Sequence, residues 1–415
     1  MRDLLRRGVF RTILLYGTLA NFLVAHRRRT APAQARILLV HPGHMGAIVM
    51  MTPVLHALRE QSPQAHITVL VGPWSKEVVA RHPDVDQVMT CTFPSHRDDS
   101  SSALPSYKVL FNTARRLRQE RFDLAINLRP RFWWGAALLY LARIPCRVGF
   151  AVEPSRLFLN KGIPPVPRQH LTTAYLQLAS AGLKAIGLAG LPEPYTADRY
   201  PLFFKADDAE EQWVVDRLQA EGIDPSSSLI IIHPGTGGAV KLWRPEAWAA
   251  CADILVQPSM AYPKRHVLLT GSKNELPLLQ KIAHITQSQP SIITNMTLGQ
   301  LAALLRRATL VLGVDSGPLH LAVAQNTATV RLYGPMDVRV FGPWGSASRH
   351  AVVTSTRRCL SCPVIPCNRL LFQEYELEAH PCVRLISEQE VLATITAKFP
   401  HLLPPAFIEE GAMTG

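Results

Sequence analysis

Short apolar runs alternate with longer amphipathic stretches along most of the chain, and turns rich in glycine or proline separate them. The apolar runs are rich in Val, Ile and Leu, which is typical of strands buried on both faces of a parallel sheet. The stretches between them repeat their apolar residues at the spacing of an α-helix. Strands that alternate with helices predict an α/β fold built from doubly wound sheets.

In the first half of the chain the pattern predicts five strands, at residues 36–41, 66–72, 85–90, 122–128 and 146–150. It predicts helices at residues 48–60, 110–120, 133–142 and 171–186. Residues 93–106, rich in Ser, Pro and Asp, and residues 160–168, which contain three prolines, are predicted to be loops. We expect these elements to form one domain, residues 36–200.

The second half repeats the beginning of the first. An apolar strand is followed by His-Pro-Gly, two further residues and Gly-Ala, at residues 41–47 and again at residues 233–239. Further strands are predicted at residues 266–271, 291–294, 310–314 and 329–333, and helices at residues 206–221, 245–256, 274–287 and 298–307. We therefore expect a second α/β domain of the same kind, residues 201–385.

Two helix starts carry a capping box, in which two side chains satisfy the free backbone amides. Thr297 and Gln300 match this pattern, and so do Ser387 and Glu390. The second box opens a last helix that reaches about Lys398. Residues 386–415 are therefore predicted to be a C-terminal helix and a tail.

The first 35 residues differ in composition from the rest of the chain. Eight arginines and a single aspartate within the first 36 residues supply more than half of the net charge of +13. The charge-free stretch at residues 12–25 is shorter than a membrane span of about 20 residues. We therefore predict that residues 1–35 are an arm that associates with an anionic membrane surface, with a signal peptide or a helix packed on the body as alternatives. The body lacks a basic stripe, which argues against nucleic acid as a partner.

Residues 309–337 combine a strand, a tight turn, a short helix and another strand. Pro318 suits the first turn of the helix, where its missing N–H costs nothing. The free backbone N–H groups of Ser316 and Gly317 then lie at the positive end of a helix, which is a site for a phosphate. An ordinary strand-to-helix connection with an Asp/Ser cap is the alternative.

The turn after the first strand of the second domain offers further phosphate ligands. Thr236 supplies a hydroxyl, Gly237 a backbone N–H and Lys241 a positive charge. It is not a Walker loop, because the Gly-Lys-Ser/Thr ending is missing, and residues 41–46 lack the first glycine of the dinucleotide-binding fingerprint. Ligands of doubly wound sheets bind at the carboxyl ends of the strands, where these turns lie.

Taken together, these motifs resemble glycosyltransferase family 9, the ADP-heptose heptosyltransferases of lipopolysaccharide core synthesis and their relatives. The matching motifs are Gly-Val-Asp-Ser-Gly-Pro-Leu-His at residues 313–320, Tyr-Gly-Pro-Met-Asp at 333–337, His-Pro-Gly at 233–235 with Lys-x-Trp at 241–243, and Thr-Pro at 52–53. The resemblance implies a GT-B architecture, with two Rossmann-like domains facing a cleft, the acceptor in the first and the nucleotide-sugar in the second. It also implies inverting transfer without a metal cofactor.

The resemblance implies donor-binding roles for individual residues. Thr236 and Lys241 would contact the diphosphate or the sugar, and Ser316 and Gly317 would hold the phosphates. Asp315 would bind sugar hydroxyls or hold its turn, because a carboxylate beside a diphosphate is unfavourable. The other candidates are Gly237 in the phosphate turn, Gly271 and Glu275 at the ribose, Met296 at the base, and His320, which would face the phosphates or be a core histidine.

One position departs from the family pattern. Ala47 stands where members usually carry an acid that is thought to deprotonate the acceptor. His44, three residues earlier in the same turn, is our candidate for a substitute base, because histidine titrates near neutral pH. His41, Asp98 and Asp99 are the alternatives. Ala47 also motivates a rival prediction, a catalytically inactive sugar-nucleotide-binding protein of envelope biogenesis.

Four of the seven cysteines are clustered in the sequence, at Cys359, Cys362, Cys367 and Cys382. Their spacing predicts a tetrahedral structural zinc site in an insert at residues 359–382, or less readily an iron–sulfur cluster. Disulfides and free thiols are the alternatives. The remaining cysteines are predicted to be small buried residues, namely Cys91, Cys146 and Cys251.

The sequence therefore predicts an enzyme that transfers a sugar from a nucleotide diphosphate to a lipid-linked or cell-envelope glycan acceptor. The resemblance suggests heptose as the sugar and ADP-heptose as the donor, and it implies no cofactor for catalysis. We expect the protein to work in the cytoplasm, as a peripheral protein on the inner face of the cell membrane. The basic arm would hold the active site near an amphiphilic acceptor.

Overall fold

The computed structural model describes residues 34–94, 103–259, 261–262, 264–362 and 364–403. The chain divides into two compact units, the first ending at Tyr200 and the second beginning at Pro201. Residues 1–33 of the predicted membrane arm and the tail after Leu403 lie outside the described residues. Among the helices that the structure describes, none is both long and apolar enough to cross a bilayer.

The sheet of the first unit is parallel throughout its described strands, which are β1 (Arg36–His41), β2 (His66–Val71), β3 (Gln87–Thr90), β4 (Leu124–Asn127), β5 (Cys146–Phe150) and β6 (Lys161–Ile163). Their order across the sheet is β3-β2-β1-β4-β5-β6. This is the strand order of a Rossmann fold. The central strands are apolar without alternation because both of their faces are buried.

The helices of the first unit connect these strands. They are α1 (Met45–Val49), α2 (Thr52–Gln61), α3 (Lys76–Ala80), α4 (Ala103–Gln119), α5 (Trp133–Leu141) and α6 (Leu171–Ala185). The helix α5 is apolar nearly all round, because it is buried against the sheet and the neighbouring helix α4.

The second unit repeats the architecture of the first. Its parallel strands are β7 (Ser228–His233), β8 (Arg265–Gly271), β9 (Ser291–Thr294), β10 (Ala308–Val314), β11 (Thr329–Tyr333) and β12 (His350–Thr354). Their order is β12-β11-β10-β7-β8-β9, which is again the Rossmann order. The repeated motif at the first turn of each half thus begins two sheets of the same topology, and the predicted α/β fold is confirmed.

The helices of the second unit are α7 (Asp208–Ala220), α8 (Pro245–Leu255), α9 (Leu276–Ile285), α10 (Leu298–Arg307), α11 (Gly317–Ala324), α12 (Val338–Phe341) and α13 (Glu388–Lys398). Both predicted capping boxes are formed, with reciprocal hydrogen bonds at α10 and α13. The last helix, α13, buries Val391, Leu392 and Ile395 in the core of this unit.

The single helix predicted at residues 48–60 is wrong, because the structure has two helices there. Pro53 has no N–H to donate to the carbonyl oxygen of Val49, as a continuous helix would require. The hydroxyl of Thr52 donates to that oxygen instead, at 2.7 Å. The chain therefore ends α1 and starts α2 at this point.

The other differences concern short or edge elements. The loop predicted at residues 160–168 contains β6, an edge strand too short and too polar to form an apolar run. The loop predicted at residues 93–106 ends early, since α4 begins at Ala103. Strand β12 was not predicted, and Cys146 is half-buried, unlike the buried Cys91 and Cys251.

Candidate active site

In the second unit, two loops begin where strands β7 and β10 lie side by side. In a sheet of this order the connections from these two strands diverge to opposite faces, and ligands bind in the crevice between them. The loop after β7 contains Thr236 and ends in a short 3₁₀ turn, Ala239–Lys241. The loop after β10 contains Asp315 and Ser316. Candidate residues from both loops therefore lie at one edge of the sheet, called the donor edge below.

Lys241 connects these two loops. Its Nζ donates to the backbone oxygen of Asp315 at 2.5 Å and lies 3.1 Å from the carboxylate of the same residue. The side chains of Lys241 and Asp315 are only 13% and 10% exposed, so solvent screens this ion pair weakly. Asp315 therefore orients Lys241 and balances its charge.

Two buried hydroxyl groups at the donor edge, those of Thr236 and Ser316, have no hydrogen-bond partner among the described residues. Buried polar groups nearly always have a partner, so this pair marks a place for a polar ligand. Ser316 is the N-cap residue of α11, but its side chain makes no capping bond. The Ser316 hydroxyl and the first amide of the helix, that of Gly317, are thus placed for an anionic ligand.

His320 and Arg331 form a buried polar contact next to Asp315. Arg331 is fully buried, donates to the backbone oxygen of Leu319 at 2.5 Å, and has a terminal nitrogen 3.4 Å from His320 Nδ1. Because an arginine only donates, His320 Nδ1 is the acceptor and the ring proton is assigned to Nε2, which lies 4.0 Å from the Asp315 carboxylate. Burial lowers the pKa of Arg331. His320 therefore lies between the buried Arg331 and Asp315, an arrangement that the sequence did not reveal.

Glu275 occupies the space left by two glycines at the same edge. Its carboxylate accepts hydrogen bonds from the N–H and the hydroxyl of Ser272, at 2.7 and 2.8 Å. A Cβ atom on Gly235 would lie 2.0 Å from one oxygen of this carboxylate, and a Cβ on Gly271 would lie 3.2 Å from the other. Burial lowers the pKa of the neighbouring His233 to about 4, so that this ring is neutral beside Glu275 at neutral pH.

Met296 completes the predicted donor residues of the second unit. It is half-buried and follows β9, after Asn295, which has a left-handed backbone with φ of 61°. The predicted donor residues thus come from the loops after four parallel strands, β7, β8, β9 and β10, or from the helix that follows β10. Since parallel strands end at the same edge of a sheet, the structure brings all of these residues to the donor edge.

In the first unit, His44 is the N-cap residue of α1, in the turn that follows β1. Its ring is exposed and lies 6.0 Å from the ring of Trp74, at an interplanar angle of 38°. Trp74 in turn donates its indole N–H to the backbone oxygen of Gly43 at 3.0 Å. The ring of Trp74, fixed by this hydrogen bond, therefore lies beside His44. Ala47 is half-buried, and its methyl side chain has no group that could act as an acid or a base.

His41, the first alternative base, is engaged on both ring nitrogens. The Gly43 N–H donates to its Nδ1 at 2.9 Å, so its Nε2 carries the proton and donates to the Tyr175 hydroxyl at 2.7 Å. Burial, with a contribution from Arg129, lowers the pKa of His41 to about 3. His41 is therefore a structural residue and unsuited to be a general base at neutral pH. Asp98 and Asp99 lie outside the described residues.

The four clustered cysteines lie together and have a histidine among them. Cys359, Cys362 and His380 are buried and each offers a ligand atom within 4.8 Å of the others. Cys367 contacts Cys362, and Cys382 contacts Cys359. Burial and the neighbouring thiols raise the pKa of Cys362 to about 11. A divalent cation would reverse that effect, because it stabilises thiolates, and the residues present fit such an ion.

A family model and a curated protein match most of this chain. A family model described as Glycosyltransferase family 9 (heptosyltransferase) matches residues 110–371. Among curated proteins, lipopolysaccharide heptosyltransferase 3 of Escherichia coli is 24% identical over 306 residues, which cover 72% of this chain and 84% of that protein.

Two solved structures have a fold similar to that of this chain. A glycosyl transferase family 9 protein from Veillonella parvula matches with a TM-score of 0.68 at 21% identity, over 88% of this chain and 96% of that one. The E. coli ADP-heptose LPS heptosyltransferase II matches with a TM-score of 0.65 at 21% identity, over 87% of this chain and 98% of that one. The two Rossmann-like units are therefore those of a GT-B type fold.

Proposed function

The chain belongs to glycosyltransferase family 9, and on that premise we propose that it transfers heptose from ADP-heptose to a lipid-linked glycan of the cell envelope. The observation that carries the proposal is the donor edge. A largely buried ammonium, a helix N-terminus and two unpaired hydroxyls lie at this edge, and the combination suits a diphosphate. The lipopolysaccharide and ADP-heptose named for the relatives supply the donor and acceptor class.

We propose that the diphosphate binds between the two loops that Lys241 connects. Lys241 and the N–H of Gly317 would contact phosphate oxygens, and the hydroxyls of Thr236 and Ser316 would donate to the same group. Glu275 would accept hydrogen bonds from the ribose, because its carboxylate lies at the adjacent strand end. Gly237 would lie at the phosphates, Gly271 at the ribose and Met296 against the base. His320, which is buried and contacts Arg331, would be a core histidine.

Transfer is proposed to invert the anomeric carbon. The oxygen of an acceptor hydroxyl would attack the anomeric carbon, and the proton of that hydroxyl would pass to His44. The bond between the anomeric carbon and the diphosphate oxygen would break in the same step. Positive charge from Lys241 and the helix N-terminus would stabilise the leaving ADP, so that the transfer step is proposed to need no metal ion. His44 suits the role because it is exposed after a strand end and histidine titrates near neutral pH.

We propose two further features of the whole protein. The arginine-rich residues 1–35 would bind an anionic membrane surface and keep the protein on the inner face of the cell membrane. The cysteine-rich insert, residues 359–382, would hold a structural metal, zinc before iron, that takes no part in the transfer step.

A calorimetric titration combined with a product assay tests the proposal. ADP-heptose is titrated into the full chain, and ADP release is followed with heptose-deficient lipopolysaccharide as the acceptor. We expect binding and turnover, both lowered when Lys241 is replaced by methionine. Binding without turnover over a broad panel of acceptors would favour the inactive binding protein that Ala47 suggests. Absence of binding would contradict both functions.

A further inference from the structure

The cysteine-rich insert, residues 359–382, packs against the turn that follows β11. Gly334 in that turn has no side chain, and a Cβ atom there would lie 2.8 Å from the sulfur of Cys382. The backbone oxygen of Pro335 accepts a hydrogen bond from the N–H of Asn368 at 2.7 Å. Strand β11 lies next to β10, so the insert is attached beside the donor edge.

The insert also reaches the proposed phosphate turn. A Cβ atom on Gly238 would lie 3.7 Å from Cε of Lys241 and 3.9 Å from Cδ2 of Leu370. Lys241 and Leu370 are therefore both neighbours of the same glycine. Leu370 is 37% exposed, while the adjacent Leu371 is 61% exposed. Leu370 thus adds an apolar surface to the side of a charged loop.

Contacts within the insert connect Leu370 to the cysteine cluster. On one side, Cys367 contacts Cys362. On the other side, the ring of Phe372 lies 4.1 Å from the ring of His380, and the guanidinium of Arg369 lies 4.6 Å from the Phe372 ring. The segment at residues 367–372 is therefore held at both ends by members of the cluster.

The cluster offers three ligand atoms within 4.8 Å of one another, those of Cys359, Cys362 and His380, and Cys382 contacts Cys359. Cys359, Cys362, His380 and Cys382 are each at most 7% exposed, whereas Cys367 is half-buried. His380 Nδ1 lies 3.2 Å from the sulfur of Cys362, which places this nitrogen towards the thiols. Three cysteines and one histidine are a common ligand set for structural zinc. The burial of Cys382 thus favours it over the half-buried Cys367 as the fourth ligand.

We propose that Cys359, Cys362, His380 and Cys382 bind a zinc ion, and that this ion fastens the insert so that Leu370 forms one wall of the donor site. The proposal that Leu370 forms a wall depends on the donor site proposed above, whereas the proposed zinc ligands do not depend on it. Loss of the metal releases the segment at residues 367–372 from its anchor, and donor affinity falls although no ligand residue contacts the donor. Cys367 stays a free thiol.

The ligand set is tested with metal analysis of the full chain purified without chelator, followed by exchange with Co²⁺. We expect one zinc per chain and the cobalt absorption of a tetrahedral site with three thiolates. Cys367→Ser should keep both, and His380→Ala should lower metal affinity by at least 10- to 100-fold. His380→Cys should restore binding with a fourth thiolate. Metal lost in Cys367→Ser and kept in His380→Ala, or no stoichiometric metal in the wild type, overturns the ligand set.

The wall is tested by titrating ADP into variants that differ at one leucine. Leu370→Ala should weaken ADP binding by roughly 5- to 30-fold, because a partly buried leucine loses about 1 to 2 kcal/mol of apolar contact. Leu371→Ala, a matched control in solvent, should leave it unchanged. Equal affinities for the two variants overturn the wall.

Metal removal supplies the second readout. The chelated full chain, with its helix content checked by circular dichroism, should bind ADP more weakly than the zinc-loaded chain, and zinc should restore the affinity. ADP affinity that does not respond to metal overturns the coupling while leaving the proposed function intact. A wild type that does not bind ADP overturns the proposed function and the wall together, but the metal analysis still stands on its own.

Discussion

Replacing Lys241 with methionine removes the cation at the donor edge while keeping a side chain of similar length. In the wild type the ammonium contacts both the backbone oxygen and the carboxylate of Asp315. The variant loses a charged hydrogen bond to the proposed diphosphate, worth about 1.5 to 3 kcal/mol, or roughly 10- to 150-fold in affinity. It also leaves the Asp315 carboxylate without its partner.

The unpaired carboxylate adds a second penalty. At about 6 Å from a phosphate, and with an effective dielectric constant of about 20, a carboxylate repels it by about 3 kcal/mol. Asp315 is 10% exposed, so solvent removes little of this repulsion. The double variant Lys241→Met with Asp315→Asn should therefore bind ADP roughly 10- to 100-fold more tightly than Lys241→Met alone.

The assay is a calorimetric titration of ADP into the wild type, both single variants and the double variant, at one ionic strength. It is carried out at about pH 8, where an unperturbed histidine is neutral, so that protonation near Asp315 does not replace the lost cation. Thermal unfolding of each variant checks that it is folded. If Asp315→Asn brings no recovery in the Lys241→Met background, the diphosphate does not lie beside this ion pair.

Three further predictions concern other residues. His44→Ala should lower turnover by roughly 10²- to 10⁴-fold with little change in ADP affinity, and unchanged turnover would remove His44 from the mechanism. Gly235→Ala should displace the Glu275 carboxylate and weaken ADP binding by roughly 10- to 150-fold. Gly237→Ala is the control and should have a smaller effect, because there is open space around its Cβ. Equal losses of ADP affinity in the two variants would argue against the Glu275 contact. The pKa of His41 is lowered to about 3 in the folded chain. As the pH drops, this histidine is therefore protonated in the unfolded chain before it is protonated in the folded chain, and the free energy of unfolding falls below about pH 6.5. Between pH 7.5 and 5 this costs about 2 kcal/mol, and His41→Gln should show a smaller shift of its denaturant midpoint over that range; an equal shift would contradict the buried neutral ring.

Where local sequence decides the structure, the prediction was accurate. Strands β9 and β11 and helix α10 have the bounds expected from their apolar runs and capping residues. Strand β11 is fully buried, α10 carries a complete capping box, and the edge strand β9 contains the apolar pair Ile292 and Ile293, so nearby residues specify these elements. Strand β6 was missed because an edge strand pairs on one side only and needs no apolar run.

The membership of the site was predictable, but its internal contacts were not. Glycine turns after parallel strands meet at one edge of a sheet, so Thr236 and Ser316 could be expected to lie near each other. The placement of His320 between Arg331 and Asp315 depends on side-chain directions from different elements, which no local pattern encodes.

The histidines show most clearly what could not be predicted from the sequence. His41 and His44 lie in one turn, and only the fold reveals that the first is buried against Tyr175 and the second exposed. His380 was missed because the metal prediction counted thiols alone. Its position two residues before Cys382 was a usable signal, since histidine and cysteine share zinc sites.

A crystal structure of the full chain with ADP bound would decide whether the donor edge holds the nucleotide. We expect phosphate oxygens within hydrogen-bond distance of Lys241 Nζ and the Ser316 hydroxyl, with the ribose at Glu275. ADP bound elsewhere, or phosphates that contact neither Lys241 nor Ser316, would contradict the proposed donor site.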